Sequence, residues 1–227
     1  MTRNNLAYQG FYRRNLPHIQ PKGRIFFITY RLNFSMPDSV MQKLQNITRI
    51  LRETAPFADP GQKSETIRRL NLKKFLILDQ YLDQCRTSPQ WLADRRIASM
   101  VMDSLHFIHD RAATLYCYTI MPNHVHLLLK PGMKQDGEVY SLAAIMHSHK
   151  SFTANEANRI LNREGTFWQH ESFDHYIRSL DEMLRTCRYI MKNPENAGLV
   201  HSYRDWPHSW IDKETERLLE SCKEGQL

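Results

Sequence analysis

The sequence predicts a protein of the α+β class, in which antiparallel strands combine with helices that lie elsewhere along the chain. The run Arg24–Leu32 is β-branched and aromatic, which is typical of a strand. Thr114–Met121 and His124–Lys130 flank the turn residues Pro122 and Asn123, and this arrangement indicates an antiparallel hairpin. Several of the remaining segments carry apolar residues at helical spacing.

Five helices are predicted between and after these strands. Ser88-Pro89 is a start signal for the helix that carries Ile97, Val101, Leu105 and Ile108 on one face. The others are predicted at residues 37–51, 63–84, 142–162 and 179–193, the last ending at Asn193-Pro194. The first two helices follow the first strand and form a helical insertion at about residues 37–90.

Length and charge limit the classes of function. The chain has 227 residues, which suits one domain over residues 1–210 with a C-terminal tail at 211–227. Its 31 Lys and Arg residues exceed its 24 Asp and Glu residues, so a polyanionic partner is favoured. The sequence contains neither a membrane-spanning apolar run nor a signal-peptide segment, and we expect a cytoplasmic protein.

Two histidines in the hairpin form a candidate metal site. His124 and His126 are two positions apart in a predicted strand, so their imidazoles lie side by side on one face. Two imidazoles with one or two oxygen ligands bind divalent metals such as Mn²⁺, Mg²⁺ or Zn²⁺. The alternative interpretation is a hydrogen-bonded pair of strand histidines.

The last predicted helix carries a candidate nucleophile. Tyr189 and Asn193 are four residues apart and share one helix face. A tyrosine hydroxyl attacks a phosphate effectively when a cation neutralises the charge on that phosphate. The alternatives are a core aromatic for Tyr189 and a solvated helix face for the neighbouring cations, which are Arg185, Arg188 and Lys192.

Motifs along the chain resemble a known family. The segment YTIMPNHVHLLLK resembles the HUH motif of the single-tyrosine transposases, and RYIMKNPENAGLV resembles their tyrosine helix. The segments IMHSHKSFTA and GTFWQHESFDHYIR are similar to the linking helix and the W-Q motif of that family. The leader YRRNLPHIQPKGRIFFITYRL resembles the first strand of the branch called REP-associated tyrosine transposases. These segments cover about 120 residues in the expected order.

The resemblance implies a fold and a set of site residues. The fold is that of HUH endonucleases, with a ferredoxin-like core whose antiparallel sheet is flanked by helices. The implied metal ligands are His124, His126 and Asn193, where many relatives have Gln in place of the asparagine, and the implied nucleophile is Tyr189. The implied metal is Mg²⁺ or Mn²⁺ rather than a closed zinc site.

The resemblance also implies a reaction. Tyr189 would cleave single-stranded DNA at REP-type hairpins through a 5′-phosphotyrosine, and strand transfer would follow without a nucleotide cofactor. The absence of a Walker or dinucleotide-binding motif agrees with this. We expect the protein to act at the nucleoid as a monomer or homodimer. The predicted DNA contacts are Arg13, Arg14, Lys150, Arg185, Arg188 and Lys192, although Lys150 could equally be a surface lysine.

Two rival functions stay open. One is a noncatalytic DNA-binding regulator that keeps the fold, and covalent adduct formation would distinguish it from the enzyme. The other is a metal-dependent phosphoesterase that uses water as its nucleophile, for which Tyr189 would be dispensable.

Overall fold

The computed structural model describes residues 8–13, 17–54, 60–84 and 87–222, which fall into two compact units. Unit 1 comprises Met1–Tyr12, His18–Asn33 and Pro89–Leu227, and unit 2 comprises Arg13–Pro17 and Phe34–Ser88. Most of unit 2 therefore coincides with the helical segment predicted after the first strand.

Unit 2 contains two helices, α1 (Asp38–Thr54) and α2 (Pro60–Gln84), which contact each other. Lys74 in α2 donates a 3.0 Å hydrogen bond to the Thr48 hydroxyl in α1. Both predicted insertion helices are thus confirmed.

The strands of the described chain form two sheets. They are β1 (Tyr8–Arg13), β2 (Pro17–Pro21), β3 (Phe26–Arg31), β4 (Ala113–Ile120), β5 (His124–Pro131), β6 (Phe173–Tyr176) and β7 (Ser209–Ile211). Strands β1 and β2 pair in a two-stranded sheet. The other five form an antiparallel sheet in the order β6-β3-β5-β4-β7, so β5 lies at its centre.

The helices of unit 1 are α3 (Arg95–Ile108), α4 (Leu142–Ile160), α5 (Leu180–Asn196) and α6 (Lys213–Ser221). Polar side chains satisfy the open amides at their starts, as when the Ser179 hydroxyl accepts a hydrogen bond from the Glu182 amide at the start of α5. None of the described helices is long and apolar enough to cross a membrane.

Alternation along the strands gives the five-stranded sheet two different faces. On one face, the Tyr30 hydroxyl lies 2.7 Å from Nε2 of His149 in α4, and the Tyr118 hydroxyl lies 2.9 Å from Nε2 of His106 in α3. On the other face, the ring of Tyr189 in α5 lies against that of His126 in β5. Helices α3 and α4 therefore cover one face, and α5 covers the face that carries the two histidines.

The predicted α+β class, first strand and hairpin are confirmed, but one boundary was wrong. Helix α5 continues through Pro194 to Asn196 instead of stopping at Asn193-Pro194. A proline so near the end of a helix removes few of its hydrogen bonds. The helix ends where Gly198 adopts a φ of 68° and its amide donates to the Glu195 carbonyl, because glycine takes this left-handed conformation without steric cost.

Four short strands and one helix were not predicted from the sequence. The strands are β1, β2, β6 and β7, and the helix is α6, which lies in the segment predicted as a tail from residue 211. Helix α6 contacts α5, and its buried Leu219 faces the protein interior.

Candidate active site

Two histidines of the central strand β5 bring ring nitrogens close together. His124 and His126 in β5 are both buried, and their Nε2 atoms are 3.0 Å apart. Two nitrogens that each lie about 2.1 Å from one cation are at most about 4.2 Å apart, so both could bind the same ion. The same 3.0 Å separation is a hydrogen bond when one of the two Nε2 atoms carries a proton.

The other nitrogen of each ring has a polar partner. His124 Nδ1 donates to the side-chain oxygen of Asn123 at 2.6 Å. His126 Nδ1 lies 2.7 Å from the Thr29 hydroxyl in β3, directly across the strand pair. A histidine that binds a metal through Nε2 carries its proton on Nδ1 and donates it to such a partner. The Asn123 oxygen can only accept, so it favours the His124 tautomer that frees Nε2, and the Thr29 hydroxyl can accept from His126 Nδ1 in the same way.

Tyr189 lies next to this pair, as the sequence motifs predict. Its ring centroid is 5.6 Å from that of His126, and the side chain is half-buried on α5. Phe27 in β3 completes the arrangement, since it stacks on His126 at 5.8 Å and meets Tyr189 edge-on at 6.1 Å. Two aromatic neighbours thus restrict the positions open to the Tyr189 ring.

Asn193 supplies an oxygen donor on the same helix. It lies one turn after Tyr189 and is 1% exposed. Its side-chain oxygen is buried, and no hydrogen-bond partner for it lies in the described parts of the chain. An unpaired buried carbonyl is costly, and a hard cation is one of the groups that satisfy it. This orphaned oxygen, together with two imidazole nitrogens, fits the donor set of a divalent metal with open positions.

The three predicted cations of α5 remain on its outer surface. Arg185 and Lys192 are exposed and Arg188 is half-exposed. Within the ranges that the structure describes, none of the three forms an ion pair with a carboxylate, whereas Arg204 pairs with Glu220 at 2.7 Å. Helix α5 therefore presents a positive surface beside the candidate nucleophile.

The other predicted DNA contacts lie elsewhere. Lys150 belongs to α4, on the opposite face of the sheet, and its ammonium donates to the carbonyls of Gln169 at 2.7 Å and His170 at 3.1 Å. Arg13 is the last residue of β1, and Arg14 lies outside the described residues. A DNA contact by any of these three side chains stays a prediction.

Thr29, Asn123 and Phe27 are site residues that the sequence did not single out. Phe27 and Thr29 are two positions apart in the first strand, so the alternation of side chains puts them on the same face. Which residue of the hairpin they oppose depends on the strand register, which that pattern does not give. Asn123 was assigned only a role in the turn, although its side chain also contacts His124.

Comparisons with known proteins agree with the motif resemblance. A segment of 102 residues, 43% of the chain, is 28% identical to a protein of Haemophilus influenzae named as a REP-associated tyrosine transposase. This match spans 58% of the length of that protein. No family model matches the chain.

A solved structure has a similar fold. It is the structure of a REP-associated tyrosine transposase bound to a REP hairpin, and it aligns with a TM-score of 0.50 over 93% of this chain and 88% of the other. Sequence identity in this alignment is 16%, so the likeness concerns the fold. The sequence relative and the shared fold confirm the resemblance that the motifs indicate.

Proposed function

We propose that the chain is a transposase-like enzyme that cuts and transfers single strands of DNA, with Tyr189 as its nucleophile. The observation that carries this proposal is the position of Tyr189, whose ring lies 5.6 Å from His126 in the histidine pair. The name of the sequence relative supports it, and the REP hairpin in the structural neighbour supports hairpin-forming DNA as the substrate. Since hairpin-forming DNA of this kind is the proposed substrate, association with the nucleoid is part of the proposal.

In the proposed reaction the Tyr189 oxygen attacks the scissile phosphorus. The phenolic proton leaves to solvent, the bond to the 3′ oxygen breaks, and that oxygen takes up a proton to become a 3′-hydroxyl. The product is a 5′-phosphotyrosine, which is a phosphodiester like the bond that was broken. A second 3′-hydroxyl can therefore displace Tyr189 with little change in free energy, and no nucleotide is consumed.

His124, His126 and Asn193 would hold a divalent cation, proposed to be Mg²⁺ or Mn²⁺. When bound, such a cation supplies positive charge that stabilises the developing charge on the nonbridging phosphate oxygens. Asn123 and Thr29 hold the two imidazoles in orientation through their Nδ1 atoms. Phe27 holds the phenol ring of Tyr189 beside His126.

Incubation with labelled DNA tests this proposal. A hairpin oligonucleotide with single-stranded flanks and Mn²⁺ should give a covalent protein–DNA band on a denaturing gel. Tyr189→Phe should give no band while binding the DNA almost as before, because only a hydroxyl is removed. Tyr176→Phe, at a half-exposed tyrosine of β6, is the matched control and should still form the adduct. Binding without an adduct in the parent protein would favour the regulator, and cleavage by Tyr189→Phe would favour a water-using phosphoesterase.

A further inference from the structure

A cleft on the outer side of α5 has no role in the chemistry described so far. Its volume is about 240 Å³, and it is lined by Arg188, Met191, Lys192, Tyr203 and Leu219. These residues come from α5, from the short 3₁₀ helix Tyr203–Asp205 and from α6, all within unit 1. The cleft is thus formed partly by α6, which lies in the segment predicted as a C-terminal tail.

The lining divides into an apolar base and a charged rim. Met191 and Leu219 are each 5% exposed, so they form the buried base of the cleft. Tyr203 is half-exposed, with the Arg204 guanidinium 5.7 Å from its ring centroid, while Arg188 is half-exposed and Lys192 is exposed. Arg204 and Glu220 lie nearby but neutralise each other in a 2.7 Å ion pair. Arg188 and Lys192 are the cations that line the cleft, and the Glu195 carboxylate lies close by, since it accepts from the Tyr203 amide at 3.3 Å.

This combination is matched by few ligand classes. A free phosphate would use the two cations but not the apolar base, and an uncharged apolar ligand would not use the cations. An unpaired nucleotide uses both, because its base has a flat apolar face and its backbone carries phosphates. The volume is below the roughly 300–1,000 Å³ of pockets for drug-sized ligands, which suits a single base.

The cleft is also close to the candidate nucleophile. Arg188 precedes Tyr189 directly and points about 100° away from it around the helix. Arg188 and Lys192 are about 6 Å apart along the helix axis, one turn of the same surface. A strand whose phosphate reaches Tyr189 on the sheet side could therefore place a neighbouring nucleotide over this surface.

We infer that the cleft binds one unpaired base of the DNA strand near the scissile phosphate, stacked on Tyr203, with the adjacent phosphates on Arg188 and Lys192. The inference rests on the proposed function for the identity of the strand. It adds a base-recognition site, and with it a source of sequence preference next to the cleavage point.

A fluorescence scan tests the site without requiring cleavage. The protein carries Tyr189→Phe, and 2-aminopurine replaces each base in turn in the single-stranded flanks of a REP-type hairpin oligonucleotide. At one position the fluorescence should fall on binding, and Tyr203→Ala should remove that change while Tyr203→Phe keeps it. Tyr203→Ala should also weaken affinity between about fivefold and about 140-fold, the range that stacking of a base on an aromatic ring gives.

Three controls define the outcomes. Tyr140→Ala, at a half-exposed tyrosine outside the cleft, should change neither readout. An abasic nucleotide at the responding position should make Tyr203→Ala and its parent bind equally. In the protein with Tyr203 intact, 5-iodouracil at that position should crosslink on irradiation to the peptide that contains Tyr203. This readout needs no substitution at Tyr203, so it remains valid even if the Tyr203→Ala variant does not fold.

The site is overturned if no position responds to Tyr203→Ala and no crosslink maps to Tyr203. If the parent protein forms the covalent adduct in that case, only the cleft assignment fails. If the fluorescence response depends on Tyr203 but the parent forms no adduct, the nuclease proposal fails and the cleft assignment stands. Absence of any DNA binding would overturn both.

Discussion

A buried histidine on the far side of the sheet should make the stability of the protein depend on pH. His149 is 2% exposed, and its two nitrogens lie 2.7 Å from the Tyr30 hydroxyl and 2.8 Å from the Ser104 hydroxyl. Burial, with a smaller contribution from Lys150, lowers the pKa of His149 from 6.5 to about 3. In the unfolded chain this ring takes up a proton near pH 6.5, so between pH 3 and pH 6.5 the unfolded state binds more protons than the folded state. The contribution of the neutral, buried His149 to the stability of the folded state is therefore complete above pH 6.5 and is lost as the pH falls towards 3.

The size of the effect follows from that shift. Each pH unit inside the window changes the free energy of unfolding by about 1.4 kcal/mol, which gives a loss of about 2–3 kcal/mol between pH 7 and pH 4.5. His149→Gln should be less stable than the wild type at pH 7 by about 1–3 kcal/mol, because Tyr30 and Ser104 lose a buried partner. This difference in the free energy of unfolding should shrink by about 2–3 kcal/mol at pH 4.5, since the variant lacks the titrating ring.

Urea unfolding at several pH values measures both quantities. His147→Gln is the matched control, because His147 lies two residues earlier on the same helix and is exposed. Its difference from the wild type should stay within about 0.5 kcal/mol across the pH range. A difference between His149→Gln and the wild type that does not change with pH would show that protonation of His149 does not make the stability depend on pH.

Three further predictions concern the proposed site. His124→Ala and His126→Ala should each weaken Mn²⁺ binding, measured by electron paramagnetic resonance, and should also reduce adduct formation. Asn193→Ala should have a milder effect, which excess Mn²⁺ should partly rescue. Full activity of the His124→Ala, His126→Ala double variant in the presence of a chelator would contradict a metal site. Thr29→Val should weaken Mn²⁺ binding about tenfold or more by freeing the His126 ring, and unchanged affinity would remove this orienting role. A plot of log DNA affinity against log salt concentration should have a slope of about −0.7 per phosphate contact. Changing Arg185, Arg188 and Lys192 together to Gln should therefore reduce the steepness of this slope by about 2. An unchanged slope would exclude phosphate contacts by these three residues.

Cleavage should depend on whether the DNA is single-stranded, hairpin-containing or fully duplex. One sequence is compared as a hairpin with single-stranded flanks, as an unstructured strand and as a full duplex. Because Tyr189 lies on the sheet side of α5, we expect a single strand to reach it more easily than a duplex about 20 Å wide, which should be a poor substrate. Equal cleavage of the duplex would overturn this mode of access, and equal cleavage of the unstructured strand would remove the hairpin from the specificity argument.

Local patterns predicted the elements that carry the candidate chemistry. The strand that holds His124 and His126 has a clear turn and strong strand propensity, and the helix that holds Tyr189 begins with a capping serine. Because side chains alternate in a strand and recur every turn in a helix, the pairing of each set of residues on one face followed from spacing alone. Their mutual approach was implied by the family resemblance, and the 5.6 Å between the rings of His126 and Tyr189 agrees with it.

Contacts between distant segments could not be obtained in this way. Thr29 reaches His126 only because β3 pairs with β5 in one particular register, and that register depends on packing across the whole sheet. The edge strands β6 and β7 have four and three residues, too few for an alternation pattern to be recognised. Tyr203 and Leu219 meet α5 through tertiary packing, so the cleft they line had no signal in the sequence.

The proposal that Tyr189 is the nucleophile is tested by locating the DNA on the protein. The wild-type protein is incubated with a hairpin oligonucleotide and Mn²⁺, the adduct is digested with a protease and a nuclease, and the modified peptide is sequenced by mass spectrometry. We expect a nucleotide attached through its 5′ phosphate to Tyr189. A nucleotide attached to any other residue, or cleaved DNA with no modified peptide, would contradict it.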